Sequence, residues 1–358
     1  MGRCRCLRKG EACKPKQTCC GKLSCFDGLC QGGSTPVPAG PWTNVATFGS
    51  EGTGASQFRN PYGVALSTDG LTAFVADTNN SRISVWTRPN ASSTAWTNQT
   101  TFGEPGAAPS QFVAPPGIAL HPDQQQNGLV VAVADYYSFA IKFWKRTSLT
   151  STDWTYDSSV QTQSPLPSVS LLADSTLLFS VIPTGVIVFT FPYTNPDTGF
   201  GSLGFTPNDL SSPYGLATHV LQTSNGPVVT AWVADTINNR ISVWTIPFPI
   251  SPTNDTWTNQ TTFGSIGSGA SQFTGPTGVA VSGNGLSAWI ADRSNSRISV
   301  WTRPSVSSAV WSPESTFGTM GAGIGQVSSP GGLAVSPDGN TVLVADTNNS
   351  RISVWVRS

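Results

Sequence analysis

The stretch VADTNNSRISVW, residues 75–86, returns as VADYYSFAIKFW at 133–144, VADTINNRISVW at 233–244, IADRSNSRISVW at 290–301 and VADTNNSRISVW at 344–355. A nine-residue interval separates the Asp from the Trp in every copy: Asp77 and Trp86, Asp135 and Trp144, Asp235 and Trp244, Asp292 and Trp301, Asp346 and Trp355. Such fixed self-similarity marks a repeat architecture, in which each unit buries its apolar faces against its neighbours. Upstream of each copy stands a phrase built on Pro and Gly: NPYGVAL at 60–66, PPGIAL at 115–120, SPYGLAT at 212–218, GPTGVAV at 275–281 and PGGLAV at 330–335. A third phrase, Phe followed by Gly, falls at Phe48, Phe102, Phe200, Phe263 and Phe317.

The interval from Phe48 to Phe102 and from Phe263 to Phe317 is 54 residues, but from Phe102 to Phe200 it is 98, room for two units. The segment LPSVSLLADSTLLFSVIPTGVIVFTF at 166–191 supplies the missing unit without the Asp and Arg of the others, so six units are expected. In the first unit, apolar runs near 63–67, 72–76, 82–87 and 95–102 alternate with turn-forming STDG, DTNNS and RPNASST. Short Val, Ile, Phe and Trp runs joined by such turns predict four antiparallel strands. Four-stranded sheets repeated around an axis make a β-propeller. The last unit stops after its third strand, and PWTNVATFG at 41–49 matches the AWTNQTTFG from which other units draw a fourth. The expected fold is therefore all-β, a six-bladed propeller of four-stranded antiparallel blades, closed by the N-terminal strand so that its edges are hidden.

The Pro-x-Gly phrase followed by Ala-Asp-x-x-Asn-x-Arg-Ile-x-Val resembles the NHL repeat, and the resemblance extends over residues 42–358. It implies a six-bladed propeller used as a platform for protein, RNA or ligand, with enzymes in the minority. Asp77 with Arg82, Asp235 with Arg240, Asp292 with Arg297 and Asp346 with Arg351, together with Asp135, read as structural. A residue that recurs in every blade is not reserved for one reaction. The carboxylate is expected to accept backbone N–H groups while the guanidinium ties neighbouring strands or blades.

Some propellers of this kind resemble amidating lyases with a zinc site of several histidines, yet this chain has only His121 and His219, with no metal-ligand spacing. Asp69 and Asp123 lie in turns that favour Asp on conformational grounds. No nucleophile elbow or phosphate cradle stands out. No catalytic, cofactor-binding or metal-binding residue is assigned, and no cofactor is expected; calcium at the axis belongs to the alternative reading below.

The chain has 358 residues and no net formal charge, with only 11% of residues charged. Residues 1–30 carry seven bases and two acids, net +5, which leaves 12 bases and 17 acids, net −5, on the body. An acidic body argues against nucleic acid as its partner. No apolar stretch is long enough to span a membrane, and no leader-like segment opens the chain.

All seven cysteines lie between Cys4 and Cys30. Dense cysteine in a segment too short for a core indicates disulfides and an oxidising compartment. The spacing of Cys6, Cys13, Cys19, Cys20, Cys25 and Cys30 resembles a knottin, which implies the pairs Cys6–Cys20, Cys13–Cys25 and Cys19–Cys30; spacing alone allows 15 pairings. Cys4 is left over for an intermolecular bond, a free thiol or mispairing. The expected organisation is a cysteine-rich knottin-like module at 1–31, a linker at 32–40 and the propeller at 41–358.

N-x-[ST] sequons at Asn79, Asn90, Asn98, Asn254, Asn259 and Asn348 are glycosylation candidates of an exported chain. Strand alternation puts the second-to-third-strand turns on one face with the Gly-rich links between units. The third-to-fourth-strand loops, with the irregular insertion at 246–256, share the opposite face, where a partner is expected. The functional expectation is a secreted, non-catalytic structural or recognition scaffold at a cell surface, making protein, self-assembly or glycan contacts. The alternatives are an extracellular enzyme with a calcium or carboxylate site at the axis, and a monomeric lectin-like or peptide-binding module.

Overall fold

The computed structural model describes residues 24–26, 29–31, 40–121, 129–147, 151–172, 177–190, 196–250 and 256–357. Six four-stranded antiparallel sheets make up the body. Blade one is Pro61–Leu66, Thr72–Asp77, Arg82–Thr87 and Thr97–Phe102. Blade two is Gly117–Leu120, Leu129–Asp135, Ala140–Arg146 and Thr155–Gln161, and the divergent unit supplies blade three: Val169–Leu171, Leu177–Ile182, Gly185–Thr190 and Pro196–Phe200. Blade four is Leu216–Thr223, Gly226–Asp235, Arg240–Pro247 and Thr258–Phe263; blade five is Pro276–Val281, Ser287–Asp292, Arg297–Thr302 and Ser312–Phe317. Blade six takes Leu333–Val335, Thr341–Asp346 and Arg351–Arg357 from the C-terminal end and Trp42–Phe48 from the N-terminal end.

Burial explains why the second and third strands read as continuous apolar runs. Sheets stacked face to face cover both sides of these strands, and in Thr72–Asp77 and Arg82–Thr87 the central residues are buried without alternation. The outer strand Trp42–Phe48 alternates half-buried with exposed, as an edge strand with one wet face should. Six hydrophobic clusters result, one between each pair of neighbouring blades. The inner strands touch in order around the axis, and the inner strand of blade six meets that of blade one, where Gly332 N–H donates to Tyr62 O at 2.8 Å.

Closure by the N-terminal strand needs correction. Trp42–Phe48 pairs with Arg351–Arg357 only as the fourth strand of an ordinary blade, and no sheet closes on itself. Every blade is an open sheet with two edge strands, because four strands offer no fifth partner. Side-chain packing between sheet faces, not a backbone ladder, carries the structure around the axis.

The knottin-like disulfide module is corrected as well. At that end the described residues form a hairpin of Ser24–Phe26 with Leu29–Gln31, in which Cys25 stands directly opposite Cys30. The resemblance had put these two in different pairs, and no disulfide is found among the described residues. What defines the hairpin is its backbone pairing. Cys4, Cys6, Cys13, Cys19 and Cys20 and the 32–39 linker lie outside the described residues.

The Phe-Gly phrase has a steric cause. Gly264 has φ +89°, and a Cβ there would stand 2.3 Å from the ring of Phe273, which is fully buried beneath the link to blade five. Gly49 over Phe58 and Gly103 over Phe112 repeat the contact. Gly264→Ala is expected to destabilise the protein by about 3 kcal/mol, combining a left-handed backbone with overpacking, as read from the midpoint of urea unfolding.

Candidate recognition face and axial cavity

Each repeated Asp sits at the end of a second strand, fully buried, and gathers the link from the preceding blade. Asp77 Oδ1 accepts from Arg59 N–H at 2.7 Å, while Oδ2 accepts from Asn80 Nδ2 and Arg82 Nε, both at 2.8 Å. Burial pushes the Asp77 carboxyl up, against the lowering pull of the Arg59 amide, Asn80 and Arg82. The Arg82 guanidinium then donates to Thr53 O, Gly54 O and Gln57 O in the link. Arg240, Arg297 and Arg351 bind Asp235, Asp292 and Asp346 at 2.7–2.8 Å and hold three link carbonyls each in the same way.

Blade two solves the problem differently. Ala140 stands opposite Asp135, where four of the other blades have Arg, and Lys142 reaches Asp135 Oδ2 at 2.9 Å from two residues further along. Its ammonium, almost wholly buried, also donates to Gln111 O in the link. Sequence reading missed this because Lys142 occupies the position of Ser84, whose hydroxyl accepts from Trp86 Nε1 at 2.8 Å.

A second arginine series has another environment. Arg88, Arg146, Arg303 and Arg357 lie at the far ends of the third strands, stacked over Trp96, Trp154, Trp311 and Trp42 at 5.0–5.6 Å. Arg303 is 4% exposed and has no carboxylate partner; its Nε donates to Gly285 O at 2.7 Å while Nη2 is unpaired, and burial pushes its pKa down to about 10.

The faces differ in chemistry. The link face carries the interblade links and second-to-third-strand turns; the loop face carries the other connections. Of the eleven large apolar residues exposed among the described residues, nine lie on the link face: Val113, Tyr137, Phe139, Leu203, Phe205, Ile237, Ile266, Met320 and Ile324. Val310 lies on the loop face and Val45 in an outer strand. Thus the side expected to hold the partner is not where the apolar surface is found. Leu203, Ile266 and Met320 occupy one position in three consecutive links, where backbone bridging to the buried Leu210, Phe273 and Val327 turns them outward. Their alignment with Glu51 and Pro105 was the available signal.

The turn of blade two adds aromatic surface. Tyr137 is 66% and Phe139 41% exposed. Phe139 has φ +51°, where the equivalent residues are Ser81, Asn239, Ser296 and Ser350. A bulky aromatic in the left-handed region costs about 1–2 kcal/mol, a strain found where function requires it.

At the axis, the inner strands enclose a cavity of ≈ 80 Å³. Tyr62 of blade one and Tyr214 of blade four meet across it with ring centroids 4.9 Å apart, and burial raises the pKa of both. Gly331 leaves room for the Tyr62 ring, and Arg293 lies over that ring at 5.7 Å. The lining contains no carboxylate or imidazole. No cluster of three or more His, Cys, Asp or Glu occurs among the described residues. His219 is on the inner strand of blade four, 2.5 Å from Gly283 O, and His121 follows the inner strand of blade two. Asp69 caps its turn by accepting from Ser67 Oγ and Leu71 N–H, and Asp123 lies outside the described residues.

The sequons separate by environment. Asn79, Asn90 and Asn348 are exposed, whereas Asn98 and Asn259 are half-buried and donate Nδ2 to Ser84 Oγ and Ser242 Oγ at 2.9 and 2.8 Å. Asn254 lies outside the described residues.

The fold is a six-bladed β-propeller whose blades are tied by a repeated Asp–Arg clamp. The family model described as NHL repeat matches residues 273–301 and 328–355, the spans of blades five and six. Among solved structures, Kuenenia stuttgartiensis hydrazine synthase is similar over 84% of this chain and 96% of its own, with TM-score 0.52 and 11% identity. The β-propeller domain of Cps50 (Swd1) from Myceliophteria thermophila is similar over 83% of this chain and 84% of its own, with TM-score 0.51 and 12% identity. At such identities the likeness is one of fold. No curated protein matches the chain.

Two outcomes are expected from this geometry. Arg297→Met strands the buried Asp292 carboxylate and should cost about 3–5 kcal/mol in chemical unfolding, whereas Arg303→Met, which removes an incompletely paired cation, should stay within about 1 kcal/mol of the parent. Site-resolved mass spectrometry of protein made in a glycosylating eukaryotic host should find glycans at Asn79, Asn90 or Asn348 and none at Asn98 or Asn259, whose amide nitrogens are used in the blade.

Proposed function

We propose that this propeller is a non-catalytic scaffold that holds a protein partner against its link face, with Tyr137 and Phe139 as anchors. The observation that carries the reading is the concentration of nine of the eleven exposed large apolar residues on that face. Apolar surface gathered on one side of a soluble fold marks an interaction site, and aromatic side chains anchor interfaces because they bury much area with few rotatable bonds. The clamps support this use. With link carbonyls and amides already paired inside the blade, the exposed side chains are presented on a rigid frame and association orders little backbone.

The absence of carboxylate and imidazole from the axial lining favours this reading over an axial enzyme site. Exposed sequons and a charge-poor surface support an extracellular setting.

A photo-cross-linking residue placed at Tyr137 in native material should give a protein adduct that unmodified protein competes away, its mass distinguishing a second copy from another chain. Phe139→Asn should weaken that adduct while raising stability by about 1 kcal/mol through relief of the left-handed backbone. Specific adducts from Val310 on the loop face, with none from Tyr137, would falsify the assignment.

A further inference from the structure

Between the outer strand of blade three and the outer part of blade four lies a groove of ≈ 690 Å³, within the roughly 300–1,000 Å³ typical of small-molecule sites. Its base is aromatic: Phe200 packs against Trp257 with centroids 4.5 Å apart and against Trp244 at 5.0 Å. Trp257 is half-buried and faces the groove beside Thr198, Asn208 and Thr258. Among the described residues, no ionisable side chain lines it.

Departures from the repeat produce this opening. In blades one, two, five and six a guanidinium lies over the Trp at the outer strand, but blade four has Ile246 in that position. Pro196–Phe200 has five residues where every other outer strand has six or seven. Asn208 replaces the serines at 56, 110 and 271 of the other links. Among the described residues, the exposed Asn208 amide and the half-buried Thr198 hydroxyl have no protein hydrogen-bond partner. Asn259, a sequon residue at the groove wall, has its amide nitrogen bound to Ser242.

We propose that this groove binds a neutral saccharide. An aromatic base takes the C–H face of a pyranose ring, whose weakly positive hydrogens meet the negative ring face, while an amide and hydroxyls recognise its equatorial hydroxyl groups. The described lining offers no counter-ion to a uronic, sulfated or amino sugar, so selection for neutral units follows from the cost of burying an unpaired charge. The site is distinct from the apolar link face and does not depend on a protein partner there.

The test is calorimetric titration of the full chain with neutral gluco-, manno- and N-acetylglucosamine oligosaccharides, and with a sulfated oligosaccharide, each to about 10 mM, ten times a Kd near the weak end of useful recognition. At least one neutral series should bind. Asn208→Ala and Thr198→Val should each weaken it about five- to tenfold, the loss of one hydrogen bond, with an unchanged unfolding midpoint, whereas Ser271→Ala in the matching link of blade five should bind as the parent does. Trp257→Ala also removes packing on Phe200, so the two polar variants decide the matter. Binding of the sulfated oligosaccharide alone, binding of none, or neutral binding untouched by both polar variants overturns the proposal.

Discussion

The structure depends on a buried carboxylate at the end of the second strand in five of the six blades, Asp77 in the first, that takes a backbone amide from the chain segment arriving from the blade before it. Each such Asp completes its hydrogen bonds with a link amide and a cation from its own third strand, and in the Arg blades that cation holds the link carbonyls. Neighbouring sheets are thereby registered to one another by directional bonds as well as by their packed apolar faces. A misplaced link leaves a buried charge without partners, an error costing far more than a misplaced methyl group. Burial supplies most of the cohesion; the clamp supplies uniqueness.

The same device separates the two faces. Because link carbonyls turn inward to the guanidinium and the Phe or Leu at the link's end is buried, the intervening residues have nowhere to point but outward. In three consecutive links they are Leu203, Ile266 and Met320. On the loop face the matching arginines lie beneath the connections and over Trp rings, so those connections are underpinned by cation–π contacts. Local departures from the repeat then give individual blades their character: an aromatic turn and a lysine clamp in blade two, and an uncovered Trp in blade four.

Much of this was legible in the residues. The recurrent Asp, Arg and Trp placed the second and third strands of five blades, and apolar pairs around a turn placed blade three without them. The repetition of the Asp–Arg pairs marked them as a feature of every regular blade but one, blade two having Lys142 instead. What escaped the sequence was substitution across space. Lys142 does the work of an arginine from a serine position, since a long side chain two residues away on the same strand face reaches the same carboxylate. The apolar link positions were hidden among glycines, because exposure there follows from bridging to a buried residue seven positions on. Two of the six sequons matched the motif while their amide nitrogens served the outer-strand bulge, and the tripeptide rule carries no information about that.

The tyrosines that meet over the axis give the ring a diagonal brace. Blades one and four lie on opposite sides of the ring, and only these two place a large aromatic at the middle residue of the Pro-x-Gly phrase. A six-membered ring joined only at adjacent edges deforms easily into an oval; a strut across one diameter stiffens that axis and leaves the other two more compliant. The tyrosine contact thus joins blade four to blade one directly, by a route that does not pass through the blades between them.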